Sequence, residues 1–219
     1  MNDAPRYRLT EEVVRQAVEV IFRRDERWEI AFTNPTAGPW KKIRFGQYET
    51  GKELRFMKEE DRPDLILLNR THRVLLVIEA KESIGKLLTA NQSGDYTQLE
   101  KSIEVFAKEF RRFDGIISNP DSAALIFGED VNATEYSGVC GYLYTMGVRE
   151  NEGHRLRLNE AHTAIAAEKC NDRLLPYVEI IVTQESGTLN LSARIAIANG
   201  TAELLTTLKA ALPSGLTRV

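Results

Sequence analysis

The sequence predicts an α/β protein in which a mixed β-sheet is flanked by helices, an α/β/α sandwich. Three observations point there. Residues 9–24 carry apolar side chains at helical spacing. Residues 74–78 (VLLVI) are apolar at every position, the pattern of a central strand covered on both faces. Helical and extended segments are then interspersed along the chain, which favours a layered sheet-and-helix arrangement.

In order, the first helix runs from Leu9 to Arg24. Thr10 is its expected N-cap, and Glu11 and Glu12 favour the positive end of the helix dipole. Val13, Val14, Ala17, Val18, Ile21 and Phe22 form its expected apolar face. Glu12 and Glu19 then fall on the opposite side, with Glu11 nearer the edge of the buried stripe. Residues 34–39 (NPTAGP) read as a loop, followed by a hairpin of residues 41–48 and 53–57 about Thr50-Gly51-Lys52. Residues 64–68 and 73–79 are two antiparallel strands joined by a tight turn at 69–72.

A second helix is expected over 96–113, where Leu99, Ile103, Phe106, Ala107 and Phe110 follow helical spacing. Strands at 123–127 and 139–144, a helix at 159–170, a hairpin of 177–183 with 189–197, and a helix at 201–212 complete the chain. The reading is one domain over residues 1–219. Its core spans roughly 9–145, and 146–219 adds a hairpin and helices assigned to substrate recognition or dimerisation.

The 219 residues, 42% hydrophobic and 28% charged, fit a globular protein with an ample core. No run reaches the ~18 apolar residues of a membrane span, and the N-terminus has no apolar signal core, so the expected location is cytoplasmic. Cys140 and Cys170 are too sparse for a metal cluster and read as reduced and structural. The net charge of −3 lacks the basic signature of a general nucleic-acid binder. Any binding to DNA must use a local surface.

The chemistry concentrates in residues 63–81, PDLILLNRTHRVLLVIEAK. Side chains alternate across a strand, so Glu79 and Lys81 face one way and Ala80 the other. A turn at 69–72 brings Asp64, at the start of one strand, beside Glu79, near the end of its partner. Two carboxylates at one point repel unless a cation lies between them. Mg²⁺ suits that role, since it takes oxygen ligands and commonly uses one or two carboxylates with waters and a phosphate. Lys81 adds a point charge able to hold a phosphate oxygen or steer a water. The set suits metal-assisted cleavage of a phosphodiester.

Pro63-Asp64 and Glu79-Ala80-Lys81, separated by apolar strands, resemble the motif of the PD-(D/E)xK nuclease superfamily, the restriction-endonuclease-like fold. The spacer between Asp64 and Glu79 is 14 residues. The resemblance implies a restriction-endonuclease-like core, with Asp64 and Glu79 as metal ligands, Lys81 as catalytic lysine and the backbone carbonyl of Ala80 as a further ligand. It implies Mg²⁺ as cofactor, with Mn²⁺ able to substitute, and DNA as substrate. It also fits a helix before the core that carries another acid, for which Glu11 is the candidate, with Glu12 and Glu19 behind it. Gln92 and Tyr96 have the Q-x-x-x-Y spacing of the RecB-like branch, although Ser-Gly-Asp between them is poor helix interior.

Other features keep two readings. Lys41, Lys42 and Arg44, with Trp40 and Phe45, form either a basic and aromatic patch along a nucleic-acid backbone or an ordinary surface hairpin. Lys108, Arg111 and Arg112 either meet phosphates or complement a helix end. His72, His154 and His162 lack ligand spacing. Asp64 can also be a solvated strand start, with Glu79 and Lys81 a surface ion pair of little worth. Against that, an all-apolar strand is a costly place to end in charges. The expectation is a Mg²⁺-dependent endonuclease of restriction type, homodimeric if it cuts both strands. The alternatives are a repair or defence nuclease on branched or single-stranded DNA or on RNA, and a catalytically silent nucleic-acid-binding module of the same fold.

Overall fold

The five apolar residues 74–78 form the first five residues of a central strand buried on both faces, as their composition demands. The computed structural model describes residues 10–33, 63–90, 92, 94, 96–107, 136–146, 152–171, 175–185, 188–196 and 202–218. Within these, the order is α1 (Glu11–Arg23), β1 (Trp28–Thr33), β2 (Leu65–Asn69), β3 (Val74–Lys81), α2 (Ile84–Leu87), α3 (Thr97–Val105) and β4 (Ser137–Thr145). Then come α4 (Glu152–Cys170), β5 (Tyr177–Glu185), β6 (Thr188–Ala196), α5 (Ala202–Ala211) and the two-residue β7 (Thr217–Arg218). The expected hairpin at 41–57 and strand at 123–127 lie outside the described residues.

The strands form one mixed sheet in sequence order, β1 to β7. β1, β2 and β3 are antiparallel, β4 and β5 run parallel to β3, and β6 returns antiparallel to β5. Strands β5 to β7 continue the sheet without a break. Helices cover both faces. Val14, Val18 and Phe22 of α1 and Leu208 and Ala211 of α5 pack with Leu65, Leu67, Leu76, Ile78 and Ala80 on one face. On the other face, residues of α2, α3 and α4 pack with Ile66, Leu75, Val77, Tyr142 and Ile181. Each fully buried aliphatic side chain contributes roughly 1.5–3 kcal/mol, so the doubly covered β2–β3 pair is the firmest base available for a site.

Two details fix the β2–β3 hairpin. Asn69 Oδ1 accepts from His72 N (2.9 Å), and Arg73 adopts the left-handed conformation (φ 51°) that closes the turn. The register then pairs Leu65 with Ile78 and Asn69 with Val74. At the far end of β2, Asn69 Nδ2 and Trp28 Nε1 both donate to the carbonyl of Ala211 (3.4 and 2.6 Å), tying the end of α5 to the sheet.

Helix α1 is capped as expected, with Thr10 Oγ1 accepting from Val13 N (3.4 Å). Its buried stripe is rotated from the expected one. Val13 is exposed, and Arg15 is buried alongside Val14, Val18 and Phe22. Arg15 bonds Thr33 Oγ1 on β1 and pairs with Glu19 and Glu12, each at 2.6 Å. Glu19 therefore points inward instead of standing opposite the apolar face: a buried guanidinium draws its counter-ions around the helix. Helix α4 begins seven residues before the expected start at 159, and β1, α2 and β7 add to the expected elements.

Candidate active site

The site stands at the end of β3, where the doubly buried strand gives way to charge. The backbone carries Asp64 there, since Asp64 N donates to the carbonyl of Ile78 (3.1 Å) and extends the ladder by one residue. The Asp64 carboxylate turns back onto the same strand, and its Oδ2 accepts from Ala80 N (2.8 Å). Glu79 and Lys81 share a face, while the Ala80 side chain is buried in the opposite core.

Lys81 is the hub. Its Nζ lies 2.6 Å from Glu79 Oε1 and 3.7 Å from both Asp64 Oδ2 and Glu11 Oε2. It also donates to the carbonyl of Ala80 at 2.7 Å. Thus three carboxylates and one backbone carbonyl surround a single cation. The side chains of Asp64 (15% exposed), Glu79 (15%) and Lys81 (17%) are largely withdrawn from water, and Glu11 (46%) forms the open wall. This is not a surface ion pair.

The electrostatics follow from burial and crowding. Burial, reinforced by the Asp64 charge, pushes the Glu79 carboxyl up to about 7. Burial also raises Asp64, against the pull of the Lys81 ammonium, and it raises Glu11. Lys81 is raised overall: burial works against its charge, but Glu79 and Asp64 together outweigh that. The cluster carries more acid than one ammonium neutralises, so Glu79 keeps its proton to a higher pH than an ordinary carboxyl.

The oxygen-only donor set matches what Mg²⁺ or Mn²⁺ takes. Among the described residues, no three His, Cys, Asp or Glu side chains already stand together as a metal-holding group. The oxygens of Glu11, Asp64, Glu79 and Ala80 instead face the ammonium.

The structure thus brings together Glu11, Asp64, Glu79, Lys81 and the Ala80 carbonyl. Gln92 and Tyr96 are placed differently. Gln92 is exposed in a turn, Tyr96 packs against the core at the N-cap of α3, and the helix begins only at Thr97. The two do not share a helix face. Lys41, Lys42, Arg44, Lys108, Arg111 and Arg112 lie outside the described residues. His162 serves the core, its Nδ1 against the Tyr142 hydroxyl (2.8 Å) and its Nε2 against the Leu175 carbonyl (2.9 Å). Cys140 and Cys170 form no disulfide, and burial lifts Cys140 to about 12, so it stays protonated.

Two features escape the sequence reading. Arg15 is one: its positive charge helps hold down the raised Asp64 carboxyl. Its position four residues after Glu11, on the same helical face, is the available signal. Glu179 is the other, a lone acid in the apolar run of β5. The register pairs Glu79 with Tyr142 and Tyr142 with Glu179, so all three share a sheet face. Glu179 is fully buried, accepts from the Tyr144 hydroxyl (2.5 Å) and lies 3.5 Å from Arg155 Nε. The carboxyl ends of the parallel strands β3 and β4 meet at this edge, the usual place for ligands in open α/β sheets. There the Thr145 hydroxyl of β4 donates to the Glu82 carbonyl just past Lys81.

No family model, curated protein or solved structure matches this chain.

Proposed function

We propose that this protein is a Mg²⁺-dependent endodeoxyribonuclease with a PD-(D/E)xK, restriction-endonuclease-like core, most simply one of restriction type. One observation carries the reading: the carboxylates of Asp64, Glu79 and Glu11 and the Ala80 carbonyl converge on one cation at the end of a buried hairpin. A salt bridge of purely structural purpose needs one carboxylate, not three. The order of elements supports the same core, with α1 ahead of the antiparallel strands and helices after the Glu79–Lys81 strand.

Asp64, Glu79 and the Ala80 carbonyl would hold the metal, with Glu11 as the fourth, more exposed donor. The bound cation supplies charge neutralisation at the phosphate and acidifies water. Asp64 is oriented by the Ala80 amide, which leaves its other oxygen available. Lys81 presents ammonium donors that can hold a non-bridging phosphate oxygen or steer the attacking water. Glu79 must give up its proton before it can act as a ligand, which ties activity to pH near 7. With a net charge of −3, the DNA must be met by a local basic surface. Cleavage of both strands would place two copies of the site in a homodimer.

The test is a panel of duplex, single-stranded and branched DNA and of RNA with Mg²⁺, run with wild type and Asp64→Ala. Metal-dependent products from wild type alone support the proposal, and the preferred substrate separates a restriction-type enzyme from a repair or defence nuclease. Tight nucleic-acid binding without any metal-dependent product would instead identify a silent binding module.

A further inference from the structure

We propose that the Lys81 ammonium is the site's resident counter-ion in the metal-free protein, and that a divalent metal enters by displacing it. This rests on reading the site as a metal centre, and it concerns what Lys81 does before catalysis. The oxygens a metal would need are those Lys81 already holds: Glu79 Oε1 at 2.6 Å and the Ala80 carbonyl at 2.7 Å, with Asp64 Oδ2 and Glu11 Oε2 at 3.7 Å.

The two cations cannot share this set. Mg²⁺ binds oxygen at about 2.1 Å. A metal on Glu79 Oε1 with the ammonium still in place would bring two positive charges within roughly 5 Å of each other in a poorly solvated site. The lysine can leave, because its stem is flexible and its side chain reaches the open wall beside Glu11. Once released from Glu79 and Ala80, the ammonium has donors to offer a phosphate. Metal entry and lysine availability are therefore one exchange, and the lysine is turned inward whenever the metal is missing. By linkage, whatever Lys81 gains from the oxygens is subtracted from the metal's apparent affinity.

The probe is Mn²⁺ alone, without DNA, titrated by electron paramagnetic resonance into wild type, Lys81→Met and Lys81→Gln, with folding checked by circular dichroism. Two neutral variants guard against the failure of one to fold. Both should bind Mn²⁺ more tightly than wild type, by on the order of tenfold. Because removal of a charge alone favours a cation, a reciprocal reading on wild type is needed. Saturating Mg²⁺ should speed acylation of Lys81 by an amine reagent, measured on its peptide by mass spectrometry. Equal or weaker Mn²⁺ binding in the variants, or Lys81 labelling unchanged or slowed by Mg²⁺, overturns the exchange while leaving the metal centre standing. Absence of Mn²⁺ binding in all three proteins overturns the metal centre itself.

Discussion

Glu79→Gln should stabilise the metal-free protein relative to wild type as pH rises, even though it removes a proposed metal ligand. The Glu79 carboxyl is lifted from 4.5 to about 7, first by burial and then by Asp64. A carboxyl whose folded pKa exceeds its unfolded one binds more protons in the native state across that interval. Stability therefore falls as pH rises from about 4.5 to 7, and the full cost is present above 7. About two and a half pH units at ~1.4 kcal/mol each give roughly 3–4 kcal/mol. Asp64 and Glu79 titrate together, so the figure belongs to the pair, and Asp64→Asn should show the same sign. The assay is urea unfolding in EDTA at pH 5, 6.5 and 8. The ionic part of the Glu79–Lys81 contact is already contained in the net raised value, and the pH-independent remainder of the substitution cancels when the wild-type-to-variant difference is followed across pH. That difference should move toward the variant by about 2–3 kcal/mol between pH 5 and 8. A difference independent of pH would refute the buried, crowded carboxylate.

Other expectations follow from the same geometry. At sub-saturating Mg²⁺, cleavage should rise with pH through about 7, with a slope approaching one on the acid side, because Glu79 must lose its proton to hold the metal; a rate flat from pH 5.5 to 8 would contradict this. Gly141→Ala should cost about 1–3 kcal/mol in urea unfolding, because its Cβ would sit 3.0 Å from Ile78 Cγ1 and 3.1 Å from Leu76 Cδ1 in the core beneath the site. Glu179→Ala removes a fully buried carboxylate that Tyr144 donates to and Arg155 faces, and should cost about 3 kcal/mol in the same assay; a loss under about 0.5 kcal/mol would place that pair outside the core's support.

The convergence of Asp64, Glu79 and Lys81 was more legible in the sequence than much of the fold. Strand alternation alone puts Glu79 and Lys81 on one face and sends Ala80 into the core, because the side-chain period is a property of the backbone. The short turn closed at Asn69 then fixes which residue Asp64 meets. Alternation gives no position for the end of a lysine side chain, so the seat of the ammonium among four oxygens emerges only in three dimensions.

Helix α1 shows a different limit. Ranking faces by apolar content puts Glu19 outside, but a buried Arg15 makes a polar interior that hydrophobicity cannot register. Strand β1 alternates Trp28 and Ile30 against a small buried Ala31, a pattern that becomes clear only when β2, more than thirty residues later, lies beside it. The first turns of α4, with Leu158 as a buried anchor among polar residues, carry too little apolar spacing to mark a start. A single turn such as α2 has no period to read.

If the carboxylates gathered on Lys81 form the seat of a metal used to cut DNA, cleavage needs both the metal and Asp64. The most direct measurement is cleavage of plasmid DNA in Mg²⁺ by purified wild type and Asp64→Ala, with DNA binding followed in parallel in EDTA. A metal seat of this kind gives metal-dependent cleavage by wild type, loss of cleavage in the variant by at least about a thousandfold, and DNA affinity within a few-fold of wild type. Cleavage by Asp64→Ala at the wild-type rate would contradict it.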